Sequence, residues 1–247
     1  MLLLFVLYAI VLSAVFARRG LWSSASAAAP IAVRSQPITR VLIIGATGGT
    51  GRQLVAQALE RGYEVTAFAR TPTRLELTHP KLKIAQGDVL DAKAVANAVR
   101  GQDAVLSALG HRRFFYPNQI QSKGTANVLE AMAANNISRF VCETALGLGN
   151  SAGRLGLPGT FFMLPVILPF YFWDKARQEQ VVAASNLDWV IVRPGILTSG
   201  ARRGSYRHGL EVGSYFWPMS ISRADVADFM LKQLDDDTYL RMAPGVG

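Results

Sequence analysis

The stretch from Gly45 to Gly51 has the composition and spacing of a turn that binds a dinucleotide. It reads Gly-Ala-Thr-Gly-Gly-Thr-Gly, follows the apolar run 40–44 and precedes the amphipathic segment 52–61. In a strand–turn–helix unit the first glycine permits a tight turn, the second lets the backbone approach the pyrophosphate, and the third lets helix and strand pack closely. The amino end of the helix then faces the phosphates with free N–H groups. We therefore predict a nicotinamide dinucleotide, contacted by Gly45, Thr47, Gly48, Gly49, Thr50 and Gly51.

The residue that follows the second apolar run indicates which dinucleotide binds. Sites specific for NAD usually carry Asp or Glu there, whereas this chain has Arg70, with Arg74 soon after. A guanidinium holds a 2′-phosphate through two parallel hydrogen bonds. NADP(H) is therefore the expected cofactor, and NAD(H) is the alternative. Asp88 is expected either to accept a hydrogen bond from the adenine amine or, like Asp91, to cap the next helix.

Apolar runs and amphipathic segments alternate along residues 40–247, which predicts the fold. Alternating strands and helices form a parallel sheet with helices on both faces. We therefore expect one α/β domain with a Rossmann-like, doubly wound sheet. The predicted strands are 40–44, 64–69, 83–85, 103–109, 139–142 and 188–192, and the predicted helices include 52–61, 92–99 and 124–135. The end of the fourth strand, at Ala108, Leu109 and Gly110, should pass beneath the nicotinamide half of the cofactor.

Several motifs resemble those of a known superfamily. They are GATGGTG, GYEVTAFAR, GDVLDAKAV, GQDAVLSALG, SRFVCETA and LDWVIVRPGIL, and together they span about residues 40–241. They resemble the atypical short-chain dehydrogenases/reductases, in the NAD(P)H-binding, NmrA-like branch that includes the biliverdin-IX-beta (flavin) reductases. The resemblance implies a Rossmann fold and cofactor contacts that also include Val89, Lys175 and Pro194. It does not imply a substrate, because this branch supports several functions.

The same resemblance implies a set of catalytic residues. Short-chain dehydrogenases typically use a Tyr-x-x-x-Lys pair with a nearby hydroxyl, and Tyr171 and Lys175 have that spacing. The lysine would bind the nicotinamide ribose, and the tyrosine would exchange a proton with the substrate. Thr144 would supply the hydroxyl, although Ala145 follows where relatives often have a second one, and Glu143 replaces a residue that is usually small or apolar. Tyr171 has a competing interpretation as a packing aromatic, since biliverdin-IX-beta reductases need no tyrosine acid and can take the proton from solvent.

The amino-terminal residues have the composition of a membrane anchor. Leu2 to Ala17 is uncharged and apolar and ends at Arg18-Arg19, and residues 20–39 are rich in Ser, Ala and Pro. A secretory signal would need basic residues before the apolar run. We expect residues 1–19 to be an anchoring hydrophobic helix or a targeting segment, residues 20–39 a linker, and residues 40–247 the cofactor-binding domain. Arginines directly after the span favour the domain on the cytoplasmic side. Targeting to an organelle is the alternative, because this region contains no acidic residue.

A second apolar stretch, 155–173, has two interpretations. It is either a buried core segment or an apolar lid beside the site that also touches the membrane. Pro158, Pro165 and Pro169 argue against a regular spanning helix. The lid interpretation, together with the anchor, favours a small lipophilic acceptor such as a quinone, flavin, tetrapyrrole or isoprenoid.

Composition excludes several classes of function and leaves three. The net charge of +9 suits anionic partners, but the chain lacks the basic and aromatic clusters of a nucleic-acid binder. The single cysteine, Cys142, and three scattered histidines form no metal-ligand spacing, so no metal is expected, and Cys142 is expected in the core. The leading hypothesis is a membrane-anchored, NADPH-dependent oxidoreductase. The alternatives are a redox sensor or accessory subunit without turnover, and an NADP-dependent epimerase or dehydratase.

Overall fold

The computed structural model describes residues 37–111, 117–162 and 169–247. Its strands are β1 (Arg40–Ile44), β2 (Glu64–Ala69), β3 (Leu82–Gln86), β4 (Ala104–Ser107), β5 (Arg139–Glu143), β6 (Asp188–Pro194), β7 (Ile196–Thr198), β8 (His208–Gly209), β9 (Ser220–Ser222) and β10 (Gly245–Val246). The main sheet has the order β3-β2-β1-β4-β5-β6-β10-β8, and β7 pairs with β9 apart from it. Every pair in the main sheet is parallel except β10 with β8. The order from β3 to β6 is that of a doubly wound dinucleotide-binding sheet, so the predicted Rossmann-like fold is confirmed.

Helices cover both faces of the sheet. They are α1 (Gly49–Glu60), α2 (Ala92–Val99), α3 (Ile120–Ala134), α4 (Pro169–Ala183) and α5 (Arg223–Lys232). Alternate residues of β1 point to opposite faces, so Val41 and Ile43 pack in one core with α1 and α5, whereas Leu42 and Ile44 pack in another with α2, α3 and α4. The second core includes Cys142, as expected, and burial raises the pKa of its thiol to about 12.

Caps explain where the helices begin. Asp91 accepts hydrogen bonds from the N–H groups of Lys93 and Ala94, so it, and not Asp88, caps α2. Ser222 caps α5, because its hydroxyl accepts a hydrogen bond from the N–H of Asp225. Helix α3 begins at Ile120, earlier than its predicted start at Gly124, because a residue distant in sequence supplies its cap. The carboxylate of Asp174 in α4 accepts hydrogen bonds from the amino end of α3, at Gln121 and Ser122.

The structure describes part of the apolar segment 155–173 but none of the amino-terminal apolar segment 2–17. Residues 1–36, which include the expected anchor and most of the expected linker, lie outside the described residues. Within the ranges described above, no helix combines the length and the apolar character needed to cross a bilayer. The segment 155–173 is partly core and partly exposed. Leu155 and Phe172 are buried in a small core cluster, whereas Leu157, Phe161 and Phe162 are exposed. Residues 163–168 also lie outside the described residues.

Candidate functional site

The glycine turn lies against the end of β4. Gly45 has φ +78°, and a Cβ on it would lie 2.6 Å from the carbonyl oxygen of Ala108. Only glycine can adopt this conformation and fit this space without strain. The strand order reverses between β1 and β4, and ligands of open α/β sheets bind in the crevice at that point. The turn therefore lies beside Ala108 and Leu109 at this point of the sheet, and their contact with the cofactor stays a prediction.

The amino end of α1 is open to a ligand. Gly48 is the N-cap residue, and no described side chain caps the helix there. A Cβ on Gly51 would lie 2.1 Å from the carbonyl oxygen of Gly45, so the helix packs directly on the turn. Uncapped N–H groups at a helix amino end form an anion site, and the absence of Cβ atoms lets phosphate come close. These residues fit the pyrophosphate of a dinucleotide.

Arg223 lies over this turn and was not identified from the sequence. A Cβ on Gly49 would lie 2.5 Å from Cδ and 2.7 Å from Nε of Arg223. The guanidinium is half-buried, and its hydrogen bonds to the Leu197 carbonyl and the Ser199 hydroxyl are long, at 3.5 and 3.4 Å. The sequence gives no sign of this contact, because nothing local connects residue 223 to residue 49. The structure brings a cation to the phosphate-facing turn.

A buried carboxyl lies on the inner side of the same turn. The hydroxyl of Thr50 donates a 3.0 Å hydrogen bond to Oε1 of Glu143, and both residues are buried. Burial raises the pKa of Glu143 above its ordinary value, while Lys175, the Thr50 hydroxyl and Arg223 act in the opposite direction. The replacement of a small residue by Glu143, noted in the sequence, therefore places a titratable group beneath the phosphate-binding turn.

Lys175 joins the ends of two strands. Its side chain is 2% exposed, and Nζ donates hydrogen bonds to the carbonyl oxygens of Leu109 (3.2 Å) and Glu143 (2.8 Å). Both carbonyls lie at the carboxyl edge of the sheet, immediately after β4 and at the end of β5. The buried ammonium is thus satisfied by backbone, as burial of a charge requires. The role of Lys175 towards the nicotinamide ribose stays a prediction.

Tyr171 lies beside Lys175 at the same edge. Its hydroxyl would be 3.5 Å from a Cβ on Gly110, and its ring packs edge-on against His111 with centroids 5.0 Å apart. The Lys175 ammonium lies 5.9 Å from the centre of the ring. Tyr171 is therefore partly a packing residue, yet its hydroxyl reaches the end of β4, where the nicotinamide half is expected.

The Thr144 hydroxyl is engaged in a buried hydrogen bond. Its hydroxyl donates a 2.6 Å hydrogen bond to Glu179, and Glu179 also pairs with Arg193 through bonds of 2.9 and 2.7 Å. Arg193 further bonds Asn150, and a Cβ on Gly149 would lie 2.6 Å from its Nη2. All three charged or hydroxyl side chains are buried. Arg193 and Glu179 thus form a buried ion pair, and Thr144 is hydrogen-bonded to it.

The remaining residues predicted to contact the cofactor differ in burial and in their neighbours. Arg70 and Asp88 face each other at 4.0 Å beyond β2 and β3, and both side chains are exposed. Val89 is buried against Gly124, because a Cβ on Gly124 would lie 2.7 Å from the Val89 side chain. Pro194 ends β6, and its carbonyl accepts a hydrogen bond from Leu146. Arg70 and Asp88 are thus the exposed side chains of this group, and Arg70 is the more exposed of the two.

Comparisons with known proteins agree with this geometry. A family profile described as NAD(P)H-binding matches residues 45–237. An uncharacterised chloroplast protein of Arabidopsis thaliana is 28% identical over 79% of this chain and 71% of its own length. The chain spans less than half the length of other curated relatives that it matches, among them mycobacterial 3β-hydroxysteroid dehydrogenases.

Two solved structures share the fold. A short-chain dehydrogenase/reductase from Veillonella parvula, in complex with NADP, superposes with a TM-score of 0.72 at 21% identity, over 85% of this chain and 94% of that one. An anaerobilin reductase from Escherichia coli superposes with a TM-score of 0.69 at 23% identity, over 84% and 96% of the two chains. At these identities the likeness concerns the fold.

Proposed function

We propose that this chain, a member of the family described as NAD(P)H-binding, is an NADPH-dependent oxidoreductase of the NmrA-like branch of the short-chain dehydrogenases/reductases that acts on a small lipophilic acceptor. The observation that carries the proposal is the convergence of three features at one sheet edge. They are the uncapped amino end of α1, the Lys175 ammonium and the Tyr171 hydroxyl. The first binds phosphate, and the other two lie at the end of β4, where chemistry on the nicotinamide half would occur.

The preference for the phosphorylated cofactor rests on Arg70. Its side chain is 63% exposed at the end of β2, with the Asp88 carboxylate at 4.0 Å. An exposed guanidinium exchanges a long contact with a carboxylate for a bidentate contact with a 2′-phosphate at little cost. NADH lacks that phosphate, so it remains the weaker alternative.

The bound dihydronicotinamide would supply a hydride to the acceptor. Lys175 would hold the ribose side of the site through its position between the β4 and β5 carbonyls. Tyr171 would hold or deliver a proton at its hydroxyl, with solvent as the alternative donor. Thr144, bonded to Glu179, would act by fixing the backbone at the end of β5. Proximity and orientation then account for most of the expected catalysis.

The acceptor and the location follow from the apolar segments. We propose that residues 2–17 anchor the chain, that residues 20–39 tether the domain, and that residues 40–247 bind cofactor and substrate on the cytoplasmic side. The exposed part of 155–173 supports a lipophilic acceptor of the quinone, flavin, tetrapyrrole or isoprenoid class. Two relatives are chloroplast proteins by name, which supports the alternative that the amino-terminal segment directs the chain to an organelle.

A second function is favoured by one observation. The Thr144 hydroxyl is already engaged by Glu179, so the end of β5 offers no free hydroxyl from this residue to a substrate. A redox sensor or accessory subunit that binds NADPH without turnover would need none. An epimerase or dehydratase would instead keep its cofactor tightly and regenerate it in each cycle.

The test is NADPH oxidation by the full chain, with quinone, flavin and biliverdin as acceptors. We expect turnover with at least one acceptor, and a loss of NADPH affinity in Arg70→Glu that greatly exceeds any loss of NADH affinity. Arg100→Glu, on a surface turn after α2, is the matched control. NADPH binding without oxidation by any acceptor would favour the sensor, and a cofactor that does not exchange would favour the epimerase or dehydratase. Equal loss of both affinities in Arg70→Glu would contradict the NADP assignment.

A further inference from the structure

Six exposed apolar side chains form a surface on the substrate side of the domain. This aromatic surface comprises Leu157, Phe161, Phe162, Tyr215, Phe216 and Trp217. Trp217 is 79% exposed and Phe216 67%, values that are unusual for large apolar residues. Scattered exposed apolar residues are ordinary, but a contiguous group of aromatics marks an interaction site.

The backbone beneath the aromatic surface is firmly held. The segments 153–162 and 213–218 are joined by hydrogen bonds from Ser214 N to the Arg154 carbonyl (2.9 Å) and from Gly156 N to the Ser214 carbonyl (2.8 Å). A further bond joins Leu157 N to the Phe216 carbonyl. The Ser214 hydroxyl accepts from the N–H groups of Phe216 and Trp217, both at 3.2 Å. The aromatic side chains therefore project from a fixed frame.

The surface lies at the edge of the sheet that carries the candidate site. One of its segments follows β5, which ends at the carboxyl edge as β1 and β4 do. The other segment lies between β8 and β9, and β8 pairs with β10 beside the last two residues of β6. Arg154 in the first segment is paired with Glu211, which precedes the second, so the positive charge that favours an anionic surface is the net charge of +9 of the chain as a whole. A positively charged chain with an aromatic surface complements an anionic lipid surface, where Trp and Tyr rings prefer the headgroup level.

We propose that the aromatic surface docks on the interfacial layer of an anionic lipid bilayer and presents the site to an acceptor dissolved in that bilayer. The proposal deepens the proposed function and rests on it only for the acceptor, since docking itself needs no turnover. The three aromatic residue types, the net positive charge of the chain and its apolar segment 2–17 all favour lipid over a protein partner. Self-association through the surface becomes an outcome of the test.

The experiment follows tryptophan fluorescence of the full chain on vesicles of brominated phosphatidylcholine and phosphatidylglycerol. The chain has four tryptophans, so the difference between the unsubstituted chain and Trp217→Phe isolates Trp217 from Trp22, Trp173 and Trp189. We expect lipid quenching of Trp217 and protection from aqueous iodide. Phe216→Ser should lower the docking equilibrium constant of the surface about tenfold, because roughly 60 Å² of buried apolar surface corresponds to a tenfold equilibrium shift. Ile84→Ser, at another exposed apolar side chain on β3, should change nothing.

The outcomes of the vesicle experiment distinguish lipid docking from self-association and from turnover. Trp217 that stays open to iodide and unquenched by brominated lipid on bound vesicles would overturn the proposal, even if the chain is anchored by residues 2–17. Shielding of Trp217 without vesicles, with a dimer in sedimentation that Phe216→Ser dissociates, would overturn it in favour of self-association. Docking without NADPH oxidation by any acceptor would refute the proposed function and leave the docking surface standing. NADPH oxidation without docking of Trp217 would refute the docking surface and leave the proposed function standing.

Discussion

The Thr50 hydroxyl donates a 3.0 Å hydrogen bond to the Glu143 carboxyl across the interior of the site. Thr50 lies in the first turn of α1, the helix whose amino end is predicted to bind the phosphates, and Glu143 is the last residue of β5. The Glu143 backbone carbonyl accepts a hydrogen bond from Lys175. Glu143 thus contacts both the glycine turn and the candidate catalytic lysine, so ionisation of its carboxyl should affect both.

Cofactor affinity should depend on the protonation of Glu143. Burial raises its pKa, so the native state keeps a proton that the unfolded state releases from about pH 4.3 upward. Its contribution to stability is therefore present at low pH and is lost as pH rises through the native pKa. Ionised Glu143 would also repel the pyrophosphate, so NADPH affinity should weaken over the same rise in pH. Glu143→Gln should flatten both profiles, measured by thermal unfolding and by NADPH titration.

The control for that prediction is Thr50→Val, which removes the hydroxyl and keeps the carboxyl. Without its hydrogen-bond donor, Glu143 should ionise at still higher pH, and both profiles should shift upward. The titration of the cofactor's own 2′-phosphate is common to all variants and cancels in the comparison. Identical pH profiles for the unsubstituted chain and Glu143→Gln would show that the carboxyl does not titrate in the site.

Arg223 should bind the pyrophosphate. Its guanidinium lies over Gly49 at the amino end of α1, and a charge-assisted hydrogen bond contributes about 1.5–3 kcal/mol, or about ten- to a hundredfold in affinity. Arg223→Gln should weaken NADPH and NADH alike by that factor, since both carry the pyrophosphate. Arg202→Gln, at an exposed arginine paired with Glu60, is the matched control.

Gly49→Ala tests the same contact from the other side. The added Cβ would meet the Arg223 side chain at 2.5 Å, and a flexible arginine should move aside rather than unfold the domain. We expect a loss of NADPH affinity similar to that of Arg223→Gln with little change in melting temperature. Additive losses in the double variant, measured by NADPH titration, would mean that the two positions act independently.

Lys175 should contribute to stability and to turnover, and the two effects can be separated. Lys175→Met leaves the Leu109 and Glu143 carbonyls without their donor, so a loss of about 1–3 kcal/mol is expected from unfolding in urea. Turnover at saturating NADPH should fall at least about a hundredfold if the lysine positions the reacting groups. Lys123→Met, at an exposed lysine of α3, should affect neither. A folded Lys175→Met protein with near-normal kcat would refute the assigned role.

Local patterns predicted much of the fold and the phosphate-binding turn. The bounds of β2 and the glycine turn follow from alternation and from the special freedom of Gly45, which act over a few residues. The amino end of α3 did not follow, because its cap, Asp174, comes from another helix.

The rest of the site depends on contacts between residues far apart in the chain. Arg223 meets Gly49, and Glu179 meets Thr144, only after the sheet has formed. The sequence indicated the residue types at these positions but not their partners. Motif spacing therefore placed Thr144 among free catalytic hydroxyls, whereas packing assigns it to an ion pair.

Arg193 and Glu179 should be strongly coupled in stability. Both side chains are buried, and Glu179 accepts two hydrogen bonds from the guanidinium. Removing one partner leaves the other charge buried, which costs about 3–5 kcal/mol. Arg193→Met alone should therefore lower the urea midpoint sharply, and Arg193→Met with Glu179→Leu should recover much of the loss. A double variant as unstable as the sum of the two single variants would argue that Thr144 and Asn150 hold the region independently of the pair.

Asp103 should determine part of the acid stability of the domain. It accepts hydrogen bonds from the backbone N–H groups of Thr39 and Arg40 and pairs with the Arg40 guanidinium at 2.7 Å. Burial alone would raise the pKa of Asp103, but these hydrogen bonds outweigh it and lower the pKa to about 2. The contact fixes the point where the chain enters β1.

Because the native pKa lies below the unfolded value of about 3.9, the native state binds fewer protons than the unfolded state between these two values. The stability from Asp103 is therefore complete above about pH 4 and is lost as pH falls towards 2. Asp103→Asn should cost about 1–2 kcal/mol at neutral pH, and the difference from the unsubstituted chain should shrink as the solution is acidified. Urea unfolding at a series of pH values measures this, with Glu130→Gln at an exposed carboxyl of α3 as control. A difference that stays constant down to about pH 2 would show that the Asp103 contacts do not depend on its charge.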